Sequence, residues 1–145
     1  MTTVYLDTSS LVKLYVEQTG SDEVRRDLAE ASVAATSLVA YAEARAAFAR
    51  LRREGDITAS AFRSVKRDLD NDWPGYLTVA PTIDLCRSAG DLAERYHLRG
   101  FDSIHLASFL DLASTDPADV RFSSFDRALN RAAAAALRRQ RRSRV

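Results

Sequence analysis

Four acidic residues draw attention through the segments that carry them. Asp7 follows the β-rich run Val4-Tyr5-Leu6 and precedes Thr8-Ser9-Ser10, Glu43 lies in an amphipathic helical stretch, Asp102 opens a helical run, and Asp126 follows a β-rich run and opens the last helix. If the runs before Asp7 and Asp126 are parallel strands, both carboxylates project at the rim formed by the carboxyl ends of the strands, where open α/β sheets bind their ligands. Glu43 shares a helix face with Val39, Ala46 and Ala47, a neighbourhood in which a lone carboxylate is costly to desolvate. Clustered carboxylates repel one another unless a cation offsets their charge. An all-oxygen acidic set with few imidazoles suits Mg²⁺ or Mn²⁺ rather than zinc. Such ions position and acidify water and clamp phosphate oxygens, so the chemistry to expect is metal-dependent phosphodiester hydrolysis. Each acid also has a plainer use: Asp7, Asp102 and Asp126 suit helix N-caps, and Glu43 a polar helix face. Independent caps, however, have no reason to converge at one rim.

The elements that must position these acids can be read from periodicity and punctuation. A strand ends at Asp7, and a helix beginning near Ser9 carries Leu11, Leu14 and Tyr15 at helical spacing. A short helix over Asp22 to Ala31 and a strand over Ser32 to Thr36 follow. The helix from Leu38 to Glu54 has the clearest apolar stripe, Tyr41, Ala44, Phe48 and Leu51, and Gly55 ends it. Another helix, Ser60 to Asp72, is stopped by Trp73-Pro74-Gly75. Leu77 to Ala80 reads as a strand, Pro81-Thr82-Ile83-Asp84 opens a helix to about His97, and Leu98 to Phe101 is a loop before the Asp102 helix. With Pro117 ahead of it, Val120 to Ser124 is the fourth strand, and Asp126 to about Arg138 the last helix. Strands separated by helices require crossovers and hence parallel pairing, so the expected fold class is α/β: a three-layer α/β/α domain with a central, mostly parallel sheet of four or five strands.

A chain of 145 residues fits one domain. With 46% hydrophobic and 28% charged residues it is neither disordered nor fibrous. Its single cysteine, Cys86, excludes an internal disulfide framework and any Cys-x-x-Cys site, fits a reducing compartment, and is expected in the core face of its helix. His97 and His105 are too few for a histidine-based metal triad; His105, one turn after Asp102, reads as a supporting group near the rim. No dinucleotide or P-loop glycine pattern is present. Asp111, Asp116 and Asp119 fall at or beyond the far end of the Asp102 helix and are expected to be solvated. Neither a secretory leader nor an apolar run of about 18 residues is found, which predicts a cytoplasmic protein without membrane contact.

The charge is unevenly spread. There are 21 basic and 20 acidic residues, but residues 138–145 hold five arginines and no acid, so residues 1–137 carry 16 against 20, a net −4. This divides the chain into a nuclease body, 1–137, and a basic tail, 138–145, able to extend the last helix, contact phosphates or remain solvated. Arg45, Arg50, Arg52, Arg53, Arg63, Lys66 and Arg67 add groups suited to phosphate, although nineteen arginines against two lysines also fits GC-rich coding.

The segments VYLDTSSLVKLY, TSLVAYAEARAAFAR, LRGFDSIHLAS and FSSFDRALNRAA, in this order across nearly the whole chain, resemble PIN-domain ribonucleases, particularly the VapC-type toxins of bacterial toxin-antitoxin pairs. The resemblance implies that Asp7, Glu43, Asp102 and Asp126 form the catalytic and metal-binding tetrad, that Ser9 and Ser124 support it, and that Mg²⁺ or Mn²⁺ activates water to cleave RNA. It further implies a homodimer inhibited by a VapB-type antitoxin whose C-terminal segment packs into or across the active-site groove, with the helices Asp22 to Ala31 and Leu38 to Asp72 resembling the region that forms the antitoxin groove. One departure is that relatives often finish on a short strand, where this chain has an Ala-rich helix and arginines; the sheet is then a strand short or irregular at its last edge. Two other readings are weaker. A haloacid-dehalogenase-type phosphatase expects a second Asp two residues after the first, where Ser9 stands, and a catalytically silent PIN fold that only binds RNA or protein has no need of all four acids.

Overall fold

A computed structural model of the chain describes residues 2–115 and 119–144. In chain order it contains β1 (Thr3–Leu6), α1 (Thr8–Lys13), α2 (Ser21–Ala29), β2 (Val33–Ser37), α3 (Ala40–Arg53), α4 (Ala59–Asp72), a 3₁₀ turn (Trp73–Gly75), β3 (Leu77–Val79), α5 (Ile83–Tyr96), α6 (Gly100–Thr115), β4 (Val120–Ser123) and α7 (Arg127–Arg142). The four strands pair in parallel in the order β3-β2-β1-β4. The first three strands step toward one edge, and the chain then returns to the other side of β1. The order therefore reverses between β1 and β4, and this switch point opens the crevice in which such sheets hold ligands.

β1 is paired on both sides and covered on both faces, which is why Val4-Tyr5-Leu6 is an unbroken apolar run. Its side chains alternate between two cores. Val4 and Leu6 join Leu11, Val24, Ala44, Phe48 and Leu69 from α1 to α4, whereas Tyr5 joins Leu106, Phe109, Leu129 and Ala133 from α6 and α7. The result is the expected three-layer α/β/α arrangement, with a four-stranded, wholly parallel sheet among the described residues. The stripe on α3 is realised as buried Ala40, Ala44 and Phe48. In α6, Leu106, Phe109, Leu110 and Ala113 are buried together with Ser103, His105 and Ser108, so this helix is enclosed nearly all round.

Several expectations shift. α6 starts at Gly100, its first turn set by the Ser103 N–H to Arg99 carbonyl bond of 2.9 Å. Asp102 thus lies inside the first turn instead of capping it, still favourably placed for the helix dipole. Cys86 is exposed, not in the core: the buried face of α5 runs through Leu85 and Ala89, and Cys86 is about 100° off that line. α7 continues to Arg142, since alanine and arginine are strong helix formers and Gln140 donates to the Leu110 carbonyl at 3.0 Å. A boundary at 137/138 therefore falls inside a helix. Asp111 is exposed, while Asp119 is half-buried and its carbonyl accepts from the Thr3 N–H. Asp116 and Pro117 lie outside the described residues, as does Val145 of the tail.

The loop before α2 touches the future site. Gly20 has φ +98°, and a Cβ placed there would sit 2.5 Å from the Phe125 ring; the Lys13 ammonium stacks 4.7 Å from the centroid of that same ring. Gly20→Ala is expected to lower stability by about 1–3 kcal/mol through left-handed strain and the displaced ring. An unchanged urea midpoint would show that neither the left-handed backbone nor the Phe125 ring resists a side chain there.

Candidate active site

Asp7 ends β1 and caps α1. It is only 4% exposed, and three donors meet it: the Ser9 hydroxyl at 2.6 Å and the Ser10 N–H at 3.0 Å on Oδ1, and the Ser124 hydroxyl at 2.5 Å on Oδ2. Both serines are themselves held by backbone amides of the loop after β4: Ser9 Oγ accepts from the Phe125 N–H across the crevice at 3.1 Å, and Ser124 Oγ from the Asp126 N–H within its own loop at 3.0 Å. Beneath them the Asp7 N–H donates to the Ser123 carbonyl at 3.1 Å, and the Ser123 and Ser10 hydroxyls lie 2.8 Å apart. The loops that follow β1 and β4 are thereby sewn together around one carboxylate.

Glu43, on the first turn of α3, belongs to a second network. Its Oε1 accepts from the Thr8 hydroxyl at 2.6 Å and lies 2.8 Å from His105 Nε2, while His105 Nδ1 lies 2.8 Å from the Tyr5 hydroxyl. Burial holds the Tyr5 proton on. The Tyr5 hydroxyl and the Glu43 carboxylate thus engage the two ring nitrogens of His105, the Glu43 oxygen as acceptor. For the Glu43 carboxyl, burial pushes upward, but the His105 and Thr8 hydrogen bonds outweigh it and hold the group below its ordinary range. His105, 2% exposed, thus couples the central strand to the helix bearing Glu43.

Asp102 and Asp126 complete the rim. Asp126 Oδ1 accepts from the Leu129 N–H at 3.0 Å and caps α7, so the plain capping role is real for Asp126 as for Asp7. The Asp102 carboxyl is raised, chiefly by burial; Arg99, 3.4 Å away, opposes that rise, and the charges of Asp126 and Asp7 add to it. Asp102 on α6 therefore lies within electrostatic reach of Asp126, at the start of α7, and of Asp7, at the end of β1. Glu43, Asp102, Arg99, Phe101 and Cys86 line a groove of about 720 Å³, and Phe101 and Phe125, the residues before Asp102 and Asp126, are 56% and 37% exposed.

Among the described residues, no three His, Cys, Asp or Glu side chains stand close enough to enclose one ion. Glu43 is turned toward His105 and Thr8, and Asp126 toward its own helix. The chemistry of the donor set nevertheless fits a hard divalent cation: the groups available are carboxylate oxygens, and the mutual repulsion registered at Asp102 is what such a charge offsets. Thr8, Tyr5 and Arg99 escaped the sequence reading. Arg99, three residues before Asp102 on a helical start, could have been found from spacing. Thr8 and Tyr5 act across 35 and 100 residues, and no local pattern announces them.

Residues 4–135 match the PIN domain family. Over 136 residues the chain is 38% identical to Ribonuclease VapC45 of Mycobacterium tuberculosis (strain CDC 1551 / Oshkosh), an alignment covering 94% of this chain and 92% of that protein. The same figures hold for Ribonuclease VapC49 of Mycobacterium tuberculosis (strain ATCC 25618 / H37Rv).

Proposed function

The chain belongs to the PIN-domain family, with the VapC ribonucleases as relatives, and on that premise we propose that it is a metal-dependent endoribonuclease toxin of a type II toxin-antitoxin system. Asp7, Glu43, Asp102 and Asp126 carry the reaction in this reading, with Ser9 and Ser124 as supports. The observation that carries it is the buried Asp7 carboxylate at the carboxyl rim of the sheet, held by donors from the loops after β1 and β4.

Mg²⁺ or Mn²⁺ held by these four carboxylates would acidify an attacking water and offset charge on the scissile phosphate. The protein's own groups do the rest. Ser9, Ser10 and Ser124 fix both oxygens of Asp7, and Thr8 and His105 fix Glu43, so neither carboxylate has to be ordered when substrate arrives. The Arg99 guanidinium beside Asp102 is placed to meet a phosphate, and the exposed ring of Phe101 offers a face on which an unpaired base stacks.

The test is cleavage of total RNA by the purified chain, with cut sites mapped as new 5′ ends. Discrete cuts are expected, abolished by EDTA and restored by added Mg²⁺ or Mn²⁺. Cleavage indifferent to chelation sinks the metal-dependent mechanism, and no cleavage under any condition favours the silent, binding-only PIN fold. A VapB-type antitoxin, a homodimer and a cytoplasmic location complete the proposal. The hollow of about 460 Å³ lined by Leu38, Tyr41, Ala42, Asp70, Trp73 and Pro74 lies on the α3–α4 surface where the antitoxin is expected. No helix among the described residues is long and apolar enough to cross a membrane.

A further inference from the structure

α7 contains six arginines and no acid. Arg127, Arg131, Arg138 and Arg142 are all exposed and, with Ala135 completing the row, recur every three to four residues along one side of the helix. The row starts beside Asp126, the cap of α7 at the candidate site, and at a rise of about 1.5 Å per residue runs ~22 Å to Arg142. Along its second half α5 joins it: Arg95 and Tyr96 together with Ala135, Arg138, Arg139 and Arg142 line a hollow of about 290 Å³. Four guanidiniums from two helices thus border one depression with no carboxylate in its wall. None of these four is in an ion pair among the described residues.

Helix electrostatics does not account for the row. A helix C-terminus welcomes cations, which explains an arginine or two in the last turn of α7, but Arg127 sits in the first turn, where a cation is disfavoured. The dipole of α7 also has no bearing on Arg95, which belongs to a different helix. Nor does a preference for arginine over lysine explain why no acid interrupts the helix. Guanidiniums spaced along a line from a phosphodiester-cleaving site match a chain of phosphates, which they contact by paired N–H donors.

We propose that the exposed side of α7, with Arg95 of α5, is a track for the RNA backbone that grips phosphates several nucleotides away from the cut. The inference rests on the ribonuclease reading and adds where the flanking strand runs: along α7, away from Asp126. The track touches phosphates and carries no sequence preference, so it sets affinity and salt dependence and leaves the choice of cut site to the groove.

The experiment compares the full-length chain carrying Asp7→Asn, which keeps RNA intact, with the same chain also carrying Arg95→Gln, Arg138→Gln, Arg139→Gln and Arg142→Gln. Fluorescence anisotropy follows binding of labelled single-stranded RNAs of 20 and 5 nucleotides across a salt series. Removing one phosphate-neutralising guanidinium lowers the slope of log K against log salt by about 0.7 on a single strand. For the 20-mer we expect a slope smaller by about 2–3 and binding at least about tenfold weaker at 0.1 M salt; for the 5-mer the two slopes stay within about one. Equal 20-mer slopes overturn the track. So does a variant that keeps its RNA slope but loses a co-expressed protein partner, since the arginines then form a protein-binding face. If the unmodified chain cleaves RNA while the slopes are equal, the track alone falls; if it neither cleaves nor binds RNA, the ribonuclease reading falls with it. Should the fourfold variant fail to fold, Arg138→Gln with Arg142→Gln carries the same test at about half the change in slope.

Discussion

Asp7→Asn is expected to cut RNA cleavage on the order of 10²–10³-fold, the range for removing one group that acts on developing charge, and to abolish growth arrest on expression, while the fold survives. Three groups donate to this side chain, an arrangement that a carboxylate satisfies as it stands. Asparagine keeps Oδ1 on Ser9 and Ser10 only if its NH₂ faces Ser124, whose hydroxyl must then turn from donor to acceptor, at a cost of up to about 1–3 kcal/mol. Because asparagine is as good an N-cap as aspartate, α1 still starts at Thr8, and thermal unfolding by circular dichroism should show a folded protein. Undiminished cleavage by this variant would remove Asp7 from the reaction.

The second large effect belongs to a residue that does not reach the rim. His105→Ala should destabilise the protein by about 2–4 kcal/mol, from the cavity between α6 and β1 and from the Tyr5 hydroxyl left without its partner. It should also change how stability responds to pH. In the parent the Glu43 carboxyl lies below its ordinary value, so its contribution is present above the unfolded carboxyl range and fades as pH falls through the folded value. Without the imidazole, burial acts on Glu43 opposed only by Thr8, and that gain in stability from acid to neutral pH shrinks. Urea unfolding at a series of pH values checks both parts: the gap between parent and variant should widen from pH 3 to pH 6. A constant gap would mean that His105 acts by packing alone. His105→Gln, which can still offer an N–H toward Glu43, should recover part of the loss.

The site was legible where a single segment carries the signal, and opaque where the signal is tertiary. Asp7 could be placed because an apolar triplet, an acid and three hydroxyl residues spell a strand end and a helix cap. The long stripe through Ala44 and Phe48 marked α3 for the same reason, since one helix repeats its period several times. Cys86 was misread although its helix held the correction: Leu85 and Ala89 define the buried line, and a neighbour of Leu85 cannot share it. The start of α6 depends on the Arg99 and Gly100 carbonyls, which accept from the Ser103 N–H and hydroxyl, and carbonyls leave no compositional mark. In the Tyr5–His105–Glu43–Thr8 chain, Glu43 stood out and His105 read as a supporting group, but the links to Tyr5 and Thr8 were invisible. Tyr5 looked like an ordinary strand residue, and its hydroxyl becomes informative only when α6 is laid across the sheet.

The reciprocal stitching of Ser9 and Ser124 around Asp7 also dictates when the site comes into being. Asp7 is among the first residues a ribosome makes, but two of its oxygen partners are the Ser9 hydroxyl, itself steered by the Phe125 amide, and Ser124, 117 residues downstream. At about 5–20 residues per second, synthesis leaves roughly 6–23 s in which the first strand exists without the loop that completes its carboxylate's surroundings. A growing chain therefore carries Asp7 without its Ser124 and Phe125 partners until the fourth strand has come in beside the first.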